Sequence, residues 1–143
     1  MKNKIKTILK PELSTSNRQP YFDAKVSAGF PSPAADYEEG RLDLNQYLIK
    51  NPPSTFFVRV TGDSMVGAGI HHGDLLIVDR SLTAKDKHVI IAAVGGQLTV
   101  KRIRIRQKKI CLEPENKNYA PQEIGPDEDF QVWGVVTNVI HSL

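Results

Sequence analysis

The sequence predicts a mostly β protein, a small compact antiparallel β barrel or sandwich preceded by a flexible amino-terminal arm. After Pro53 the chain consists of short runs rich in β-branched and aromatic residues, and glycine, aspartate and proline separate these runs. Strands at this spacing are typical of barrels and sandwiches. The pair Gly95-Gly96 lies between two such runs and is a strong signal for a two-residue hairpin.

Residues 1–20 are predicted to be the flexible arm. They combine lysines, two prolines and a polar run at 14–19, so little apolar surface is available to order them. Residues 21–28 have the β-branched and aromatic character of extended chain, and the glycines and prolines of 29–40 exclude a long helix. Apolar residues between 42 and 49 then predict a short helix that ends before Pro52-Pro53.

Six strands are predicted for the β domain, with a turn at Gly73-Asp74 before the second. In chain order the runs are TFFVRV, DLLIVDR, HVIIAAV, QLTVKRIRI, KICLEP and FQVWGVVTNVI. A chain of 143 residues can bury a sufficient core without disulfides or a metal. Its single cysteine, Cys111, excludes an internal disulfide, suits a reducing compartment and is interpreted as a small core residue.

The positive charge of the chain is concentrated at its start. Before Gly29 there are six basic and two acidic residues, and from Gly29 onward thirteen and fourteen. The formal net charge of +3 is therefore weak evidence for a nucleic-acid-binding domain. No run approaches the roughly 20 apolar residues that span a bilayer, and the start lacks the features of a signal peptide, so we expect a soluble protein that is not exported.

The string KRIRIRQKK, residues 101–109, has two interpretations. Its six cations are compatible with a nucleic-acid-binding stripe. They are also compatible with a solvated strand face that Glu113, Glu115 and the acidic segment 127–129 balance. We favour the second interpretation, and direct contact with DNA is not expected.

Ser64 is the candidate nucleophile. It lies in TGDSMVGAG directly after the first predicted strand, where small residues keep the backbone accessible. A serine needs a base, and the nearest histidines, His71 and His72, lie in a polar turn with no evident orienting acid. The two histidines also lack partners at a recognisable metal spacing, so no metal site is predicted. Asp63 is interpreted as a carboxylate that stabilises the turn, although an acid partner for Ser64 is the alternative.

Lys101 is the candidate base, because a lysine can replace histidine when burial disfavours its ammonium form. It lies in an apolar strand and shares a face with Ile103 and Ile105, whereas the three arginines of the strand point the other way. Leu98 and Val100 fall on the arginine side, so a bulge or burial on both faces would disturb this pattern. Taken alone, a turn serine and a strand lysine are ordinary residues; their combination is what indicates chemistry.

Several stretches together resemble the LexA/UmuD family of self-cleaving proteins. They are SAGFPSPAADYEEGRLDLNQYLI, GDSM, GDLLIVDRSLTA, VIIAAV, TVKR and WGVV, and they cover most of the chain after residue 20. The resemblance implies a catalytic dyad of Ser64 as nucleophile and Lys101 as general base. It places the scissile bond between Ala28 and Gly29, because the family cuts between a small residue and a glycine. LexA-type members have Ala-Gly at this bond, whereas UmuD-type members more often have Cys-Gly.

The resemblance also implies a mechanism and a biological role. Backbone N–H groups of Ser64 and Met65 would form the oxyanion hole. Residues 1–28 would be removed, 29–44 would remain as a linker, and 45–143 would be the peptidase domain. The expected partners are a second copy of the chain, a RecA filament on single-stranded DNA and a UmuC-type Y-family polymerase, in the bacterial cytoplasm, without a cofactor or a membrane.

Three other classes of protein are alternatives to a self-cleaving one. A pure interaction module would keep the same fold with a vestigial dyad and an uncut arm. A signal-peptidase-like enzyme shares the Ser/Lys chemistry but needs a membrane anchor, for which the sequence gives no signal. A full repressor is disfavoured as well, because 28 residues are too few for a helix-turn-helix domain.

Overall fold

The computed structural model describes residues 4–13, 16, 18–22 and 38–143, and the predicted mostly β fold is confirmed. A short helix, α1 (Leu44–Leu48), lies where the sequence predicts one, and its amino end is capped by the Asp43 carboxylate, which accepts a hydrogen bond from the Asn45 N–H. The strands are β1 (Lys4–Leu9), β2 (Arg18–Phe22), β3 (Glu38–Asp43), β4 (Thr55–Thr61), β5 (Leu75–Asp79), β6 (Val89–Val94), β7 (Gln97–Arg106), β8 (Lys109–Glu113), β9 (Gln122–Ile124) and β10 (Phe130–Ile140).

Eight of the strands form one antiparallel sheet in the order β1-β4-β5-β10-β6-β7-β8-β9. A further pairing of Lys4 with Thr99 joins β1 to β7, so six strands form a ring and β8 and β9 extend from it. A ring leaves fewer unpaired strand edges than an open sheet does. β2 and β3 make a separate antiparallel pair.

The chain divides into two compact units. One contains the described residues of Met1–Pro11 together with Asn51–Leu143, and the other contains those of Glu12–Lys50. The β ring belongs to the first unit and the β2-β3 pair to the second. Within the described residues, every helix is too short or too polar to cross a lipid bilayer.

The hairpin predicted at Gly95-Gly96 joins β6 to β7. Val94 pairs with Gln97, and both glycines have positive φ, 56° and 79°. This left-handed backbone is the one that a two-residue hairpin turn requires, and glycine adopts it without a steric penalty. The turn fixes the register of β7, and therefore the face on which Lys101 lies.

Two apolar clusters fill the β unit, and β6 and β7 contribute to both. Val100 belongs to the first cluster and Ile103 to the second. β7 is therefore buried on both faces, which is the disturbance of the alternating pattern that Leu98 and Val100 indicate in the sequence. The first cluster contains Phe56, Val58, Val60, Met65, Ile70, Leu76, Val78, Ile91 and Val100; the second contains Ile90, Ala92, Ile103, Leu112 and Val135.

Two strands, β1 and β2, lie in the segment whose composition predicts an arm. Neither KIKTIL nor RQPYF alternates cleanly between apolar and polar residues. Their order comes from backbone pairing instead: five residues of β1 pair with β4, and β2 pairs with β3. Backbone N–H and C=O groups are the same in every sequence, so composition gives little sign of such pairing.

Asp79 fastens the start of the β unit to the end of β5. Its carboxylate is 5% exposed and accepts hydrogen bonds from Asn51 Nδ2 (2.7 Å), Ser54 Oγ (2.8 Å) and both the N–H (2.8 Å) and hydroxyl (2.7 Å) of Ser81. Burial alone would raise the pKa of Asp79. The hydrogen bonds from these three residues outweigh it and lower the pKa from 3.8 to about 2.

We expect Asp79 to make the protein sensitive to acid. Because its pKa is lower in the folded state, its contribution is complete above about pH 4 and is lost as the pH falls towards 2, by about 2 kcal/mol. Urea unfolding at pH 5, 4, 3 and 2 measures this loss. Asp79→Asn should flatten that part of the pH dependence, whereas Asp127→Asn, at an exposed carboxylate, should not. If the free energy of unfolding depended equally on pH in both variants, Asp79 would not be the source of the acid sensitivity.

Candidate active site

The sequence-predicted nucleophile lies in the turn that follows β4. Gly62 has a φ of 90°, a left-handed conformation that turns the chain away from the strand, and Ser64 and Met65 follow. Both are fully buried, and the Met65 side chain belongs to the first apolar cluster. Packing of Met65 therefore holds the backbone that carries the Ser64 hydroxyl.

Lys101 lies on the same face of β7 as Ile103, as the strand alternation predicts. It is 8% exposed and Ile103 1%, whereas Arg102 and Arg104 on the opposite face are partly exposed. A lysine is rarely this buried in a protein unless its amine has polar partners. The partners of the Lys101 amine therefore decide what it can do.

The structure brings Lys101 and Ser64 into contact across 37 positions of sequence. Lys101 Nζ lies 3.1 Å from Ser64 Oγ, 3.1 Å from Thr99 Oγ1 and 3.0 Å from the Val100 carbonyl. Thr99 is not among the sequence-predicted site residues. The signal that could have found it is the strand period, because Thr99 lies two residues before Lys101 on the same face.

These three contacts suit an uncharged amine. A neutral amine has two N–H bonds and one lone pair. The Val100 carbonyl can only accept a hydrogen bond, and the Thr99 hydroxyl can accept another. The lone pair would then face the Ser64 hydroxyl, the orientation in which the amine can accept its proton.

Residues 115–119 hold the nucleophile segment from outside the strands. The Glu115 N–H donates to the Ser64 carbonyl (2.8 Å), and the Gly67 N–H donates to the Glu115 carbonyl (2.7 Å). The Asn116 side chain donates to the Asp63 carbonyl (2.9 Å), and the Tyr119 hydroxyl donates to the Asp63 carboxylate (2.6 Å). Asp63 therefore fastens this turn, which supports its interpretation as a stabilising carboxylate.

A cavity of about 460 Å³ reaches Lys101 from the surface. Its walls combine apolar side chains, such as Leu98 and Leu112, with polar ones, such as Thr99 and Gln122, around the Lys101 amine. Volumes between about 300 and 1,000 Å³ are typical of ligand sites. A cavity of this size can admit an extended peptide segment.

The remaining sequence-predicted residues fall in different places. Ala28 and Gly29 lie outside the described residues. Cys111 is half-buried; burial, together with the carboxylates of Glu113 and Glu123, raises the pKa of its thiol, which disfavours the reactive thiolate. His71 lies near Asp74 and His141 and is not part of the dyad.

Two of the three arginines of β7, Arg102 and Arg104, pair with acidic side chains. Arg102 Nε bonds to the Glu115 carboxylate, and Arg104 contacts both Asp86 (3.1 Å) and Glu113 (3.6 Å). Glu113 and Glu115 are two of the acidic groups that the sequence predicts to balance this face, and the third, segment 127–129, makes no ion pair with it among the described residues. The pairing supports the interpretation of KRIRIRQKK as a balanced strand face.

Comparison with known proteins gives a consistent family. The peptidase S24-like family matches residues 20–137. The chain is 46% identical to protein MucA of Salmonella typhimurium, over 87% of this chain and 83% of that protein, and 47% identical to protein SamA of Salmonella typhimurium strain LT2, over 85% and 84%. It is also 37% identical to LexA repressor 1 of Geobacter sulfurreducens, over 82% of this chain and 58% of the repressor.

The match includes the strands that carry the site, β4 to β7, and the segment 115–119 that holds it. High identity to two whole proteins of similar length agrees with the resemblance to LexA/UmuD proteins found in the sequence motifs. The chain therefore belongs to the peptidase S24-like family, as a UmuD-type peptidase of SOS mutagenesis.

Proposed function

We propose that this protein cuts its own chain between Ala28 and Gly29, with Ser64 as nucleophile and Lys101 as general base. The observation that carries the proposal is the 3.1 Å contact between Lys101 Nζ and Ser64 Oγ, both buried. A buried amine aligned on a serine hydroxyl is the arrangement that activates a serine without histidine. The cavity at Lys101 gives a peptide segment a route to this pair.

The reaction follows from the contacts of the amine. Neutral Lys101 takes the Ser64 proton while Oγ attacks the Ala28 carbonyl, and the N–H groups of Ser64 and Met65 stabilise the oxyanion. The C–N bond then breaks, Lys101 returns the proton to the Gly29 amine, and Ala28 remains esterified to Ser64. Water, deprotonated by Lys101, hydrolyses this ester and regenerates the serine.

A scissile bond in the same chain has a high effective concentration, so a slow enzyme suffices. We further propose, from the family, that a RecA filament on single-stranded DNA stimulates the cut. The product, residues 29–143, would act in the bacterial cytoplasm as a homodimer and as the accessory subunit of a Y-family translesion polymerase. No direct DNA contact is required of it, which agrees with the paired arginines of β7.

Intact-mass analysis after incubation at about pH 10 tests the cut, because alkali deprotonates lysine without a stimulating partner. We expect fragments of residues 1–28 and 29–143, the second beginning at Gly29. Ser64→Ala should yield neither fragment, whereas Ser142→Ala, at an exposed serine, should cut like the wild type. RecA filaments should produce the same fragments near neutral pH.

The competing function is an interaction module with an uncut arm. Wild-type protein that stays full length, both in alkali and with RecA filaments, would exclude self-cleavage and favour the module. A cut at another bond that Ser64→Ala still abolishes would keep the dyad and move the scissile site.

A further inference from the structure

We propose that His71, Asp74 and His141 form a binding site for a divalent transition-metal ion, with Zn²⁺ as the best fit. One donor atom from each of these residues lies within 4.8 Å of the other two. We call this set the His-Asp-His cluster. None of its members belongs to the Ser64–Lys101 pair, so the proposal is independent of self-cleavage.

Strand register brings the cluster together. β10 pairs with β5 so that Ile140 lies opposite Leu75. His141 and Asp74 each lie one residue beyond this pair. His141 follows the last residue of β10, and Asp74 precedes the first residue of β5. His71 comes from the same turn as Asp74, three residues earlier, and the Asp74 N–H donates to the His71 carbonyl (3.0 Å). The pairing of β10 with β5 therefore brings His141 next to Asp74, 67 residues away in the sequence. Local spacing in the sequence does not reveal this proximity.

The central ligand is held in position. Asp74 is 2% exposed. Its Oδ2 accepts a hydrogen bond from the backbone N–H of His71 (2.7 Å), and its Oδ1 lies 2.5 Å from the ring nitrogen Nδ1 of His141. The two imidazole centroids are 5.0 Å apart. Zinc bound at about 2.0–2.1 Å in a tetrahedron separates its ligand atoms by roughly 3.4 Å, so small rotations of the two rings complete the set.

The donors select the class of ion. Two imidazole nitrogens and one carboxylate suit Zn²⁺, Ni²⁺, Co²⁺ or Cu²⁺, whereas Mg²⁺ and Ca²⁺ prefer oxygen ligands. A buried carboxylate also favours a compensating positive charge. The His71 and His141 side chains are 49% and 45% exposed, so the rings can move and water can take the fourth position.

Metal at this site would tie three strands together. The Gly73 N–H donates to the Val60 carbonyl (2.9 Å), and the Val60 N–H donates to the Asp74 carbonyl (3.1 Å), which fastens the turn to β4. The turn leads into β5, and His141 continues β10. The ion would therefore stabilise the end of the ring where β4, β5 and β10 meet, as a structural site.

Zinc titration of the full-length Ser64→Ala chain, without a histidine tag, tests the proposal. Calorimetry should give one site per chain with a Kd below about 10 µM, and Co²⁺ should give the visible d–d absorption of a site with low coordination number. At a hundredfold excess of Zn²⁺ over Kd, the Tm should rise by about 5 °C or more. Mg²⁺ at the same concentration should leave the Tm unchanged.

Matched histidine variants locate the site. His141→Ala and His141→Gln, both at an exposed side chain, should weaken zinc binding at least about tenfold and remove the Tm rise. His88→Ala, at a histidine elsewhere on the protein, should bind zinc within twofold of the parent. Absence of saturable binding below 1 mM would overturn the proposal, as would equal weakening by His88→Ala and His141→Ala.

Discussion

Replacing Lys101 with methionine is expected to lower the rate of self-cleavage at least about a thousandfold at neutral pH. Methionine has a similar length and fills the same buried volume, but it cannot take the Ser64 proton. The fold should survive, because an apolar side chain is tolerated at a position as buried as Lys101. Rates are read as the fraction of intact chain against time, and circular dichroism confirms the fold.

Arginine at position 101 distinguishes the loss of a base from the loss of a positive charge. A guanidinium stays protonated up to pH 10 and beyond, so Lys101→Arg keeps a cation and hydrogen-bond donors but loses the base. It should be as inactive as Lys101→Met, including at pH 10, where we expect the wild type to cut fastest. Lys109→Met, at an exposed lysine on β8, should cut normally. Cleavage within tenfold of wild type in Lys101→Met would place the base elsewhere.

Gly67→Ala is expected to slow cleavage about a hundredfold without unfolding the protein. A Cβ at Gly67 would lie 2.7 Å from the Glu115 carbonyl oxygen, closer than such atoms can approach. The same two residues share the hydrogen bond that holds the nucleophile segment, so the backbone must shift where Ser64 is positioned. A displacement of about 1 Å in a catalytic group can reduce the rate by this factor.

Gly125→Ala is the matched control for this effect. A Cβ at Gly125 meets only the Glu128 side chain, at 3.7 Å, which is ordinary contact. We expect wild-type rates and Tm for Gly125→Ala, and a lower rate with a Tm loss of a few degrees for Gly67→Ala. A Gly67→Ala protein that cuts within threefold of wild type would show that the 115–119 segment does not position Ser64.

Much of the β unit follows from local patterns in the sequence. The six predicted runs correspond to β4, β5, β6, β7, β8 and β10, because each carries enough β-branched and aromatic residues to signal a strand on its own. The Gly95-Gly96 turn then fixes the register that faces Lys101 inward. The GDSM and TVKR motifs together predict the contact between Lys101 and Ser64, and neither residue alone indicates it.

Other features depend on contacts between distant parts of the chain. β9 has only three residues, two of them exposed and polar, so no period can reveal it. The 115–119 segment holds Ser64 largely through backbone groups, which every residue type supplies. The approach of His141 to Asp74 depends on the register of an eleven-residue strand, which shifts against β5 at an irregularity between Val136 and Asn138.

The strands β1 and β2 bear on what happens after a cut at Ala28-Gly29. Both lie within residues 1–28, while their partners β4 and β3 lie in the retained chain. Hydrolysis alone would therefore not free the peptide, which would remain as a bivalent ligand held by two ladders. Release of the peptide would then depend on its dilution and on other strands that compete for the same backbone groups. The edge of β4 that it leaves is a template for such a strand. Activation would thus have an irreversible chemical stage and a reversible exchange stage.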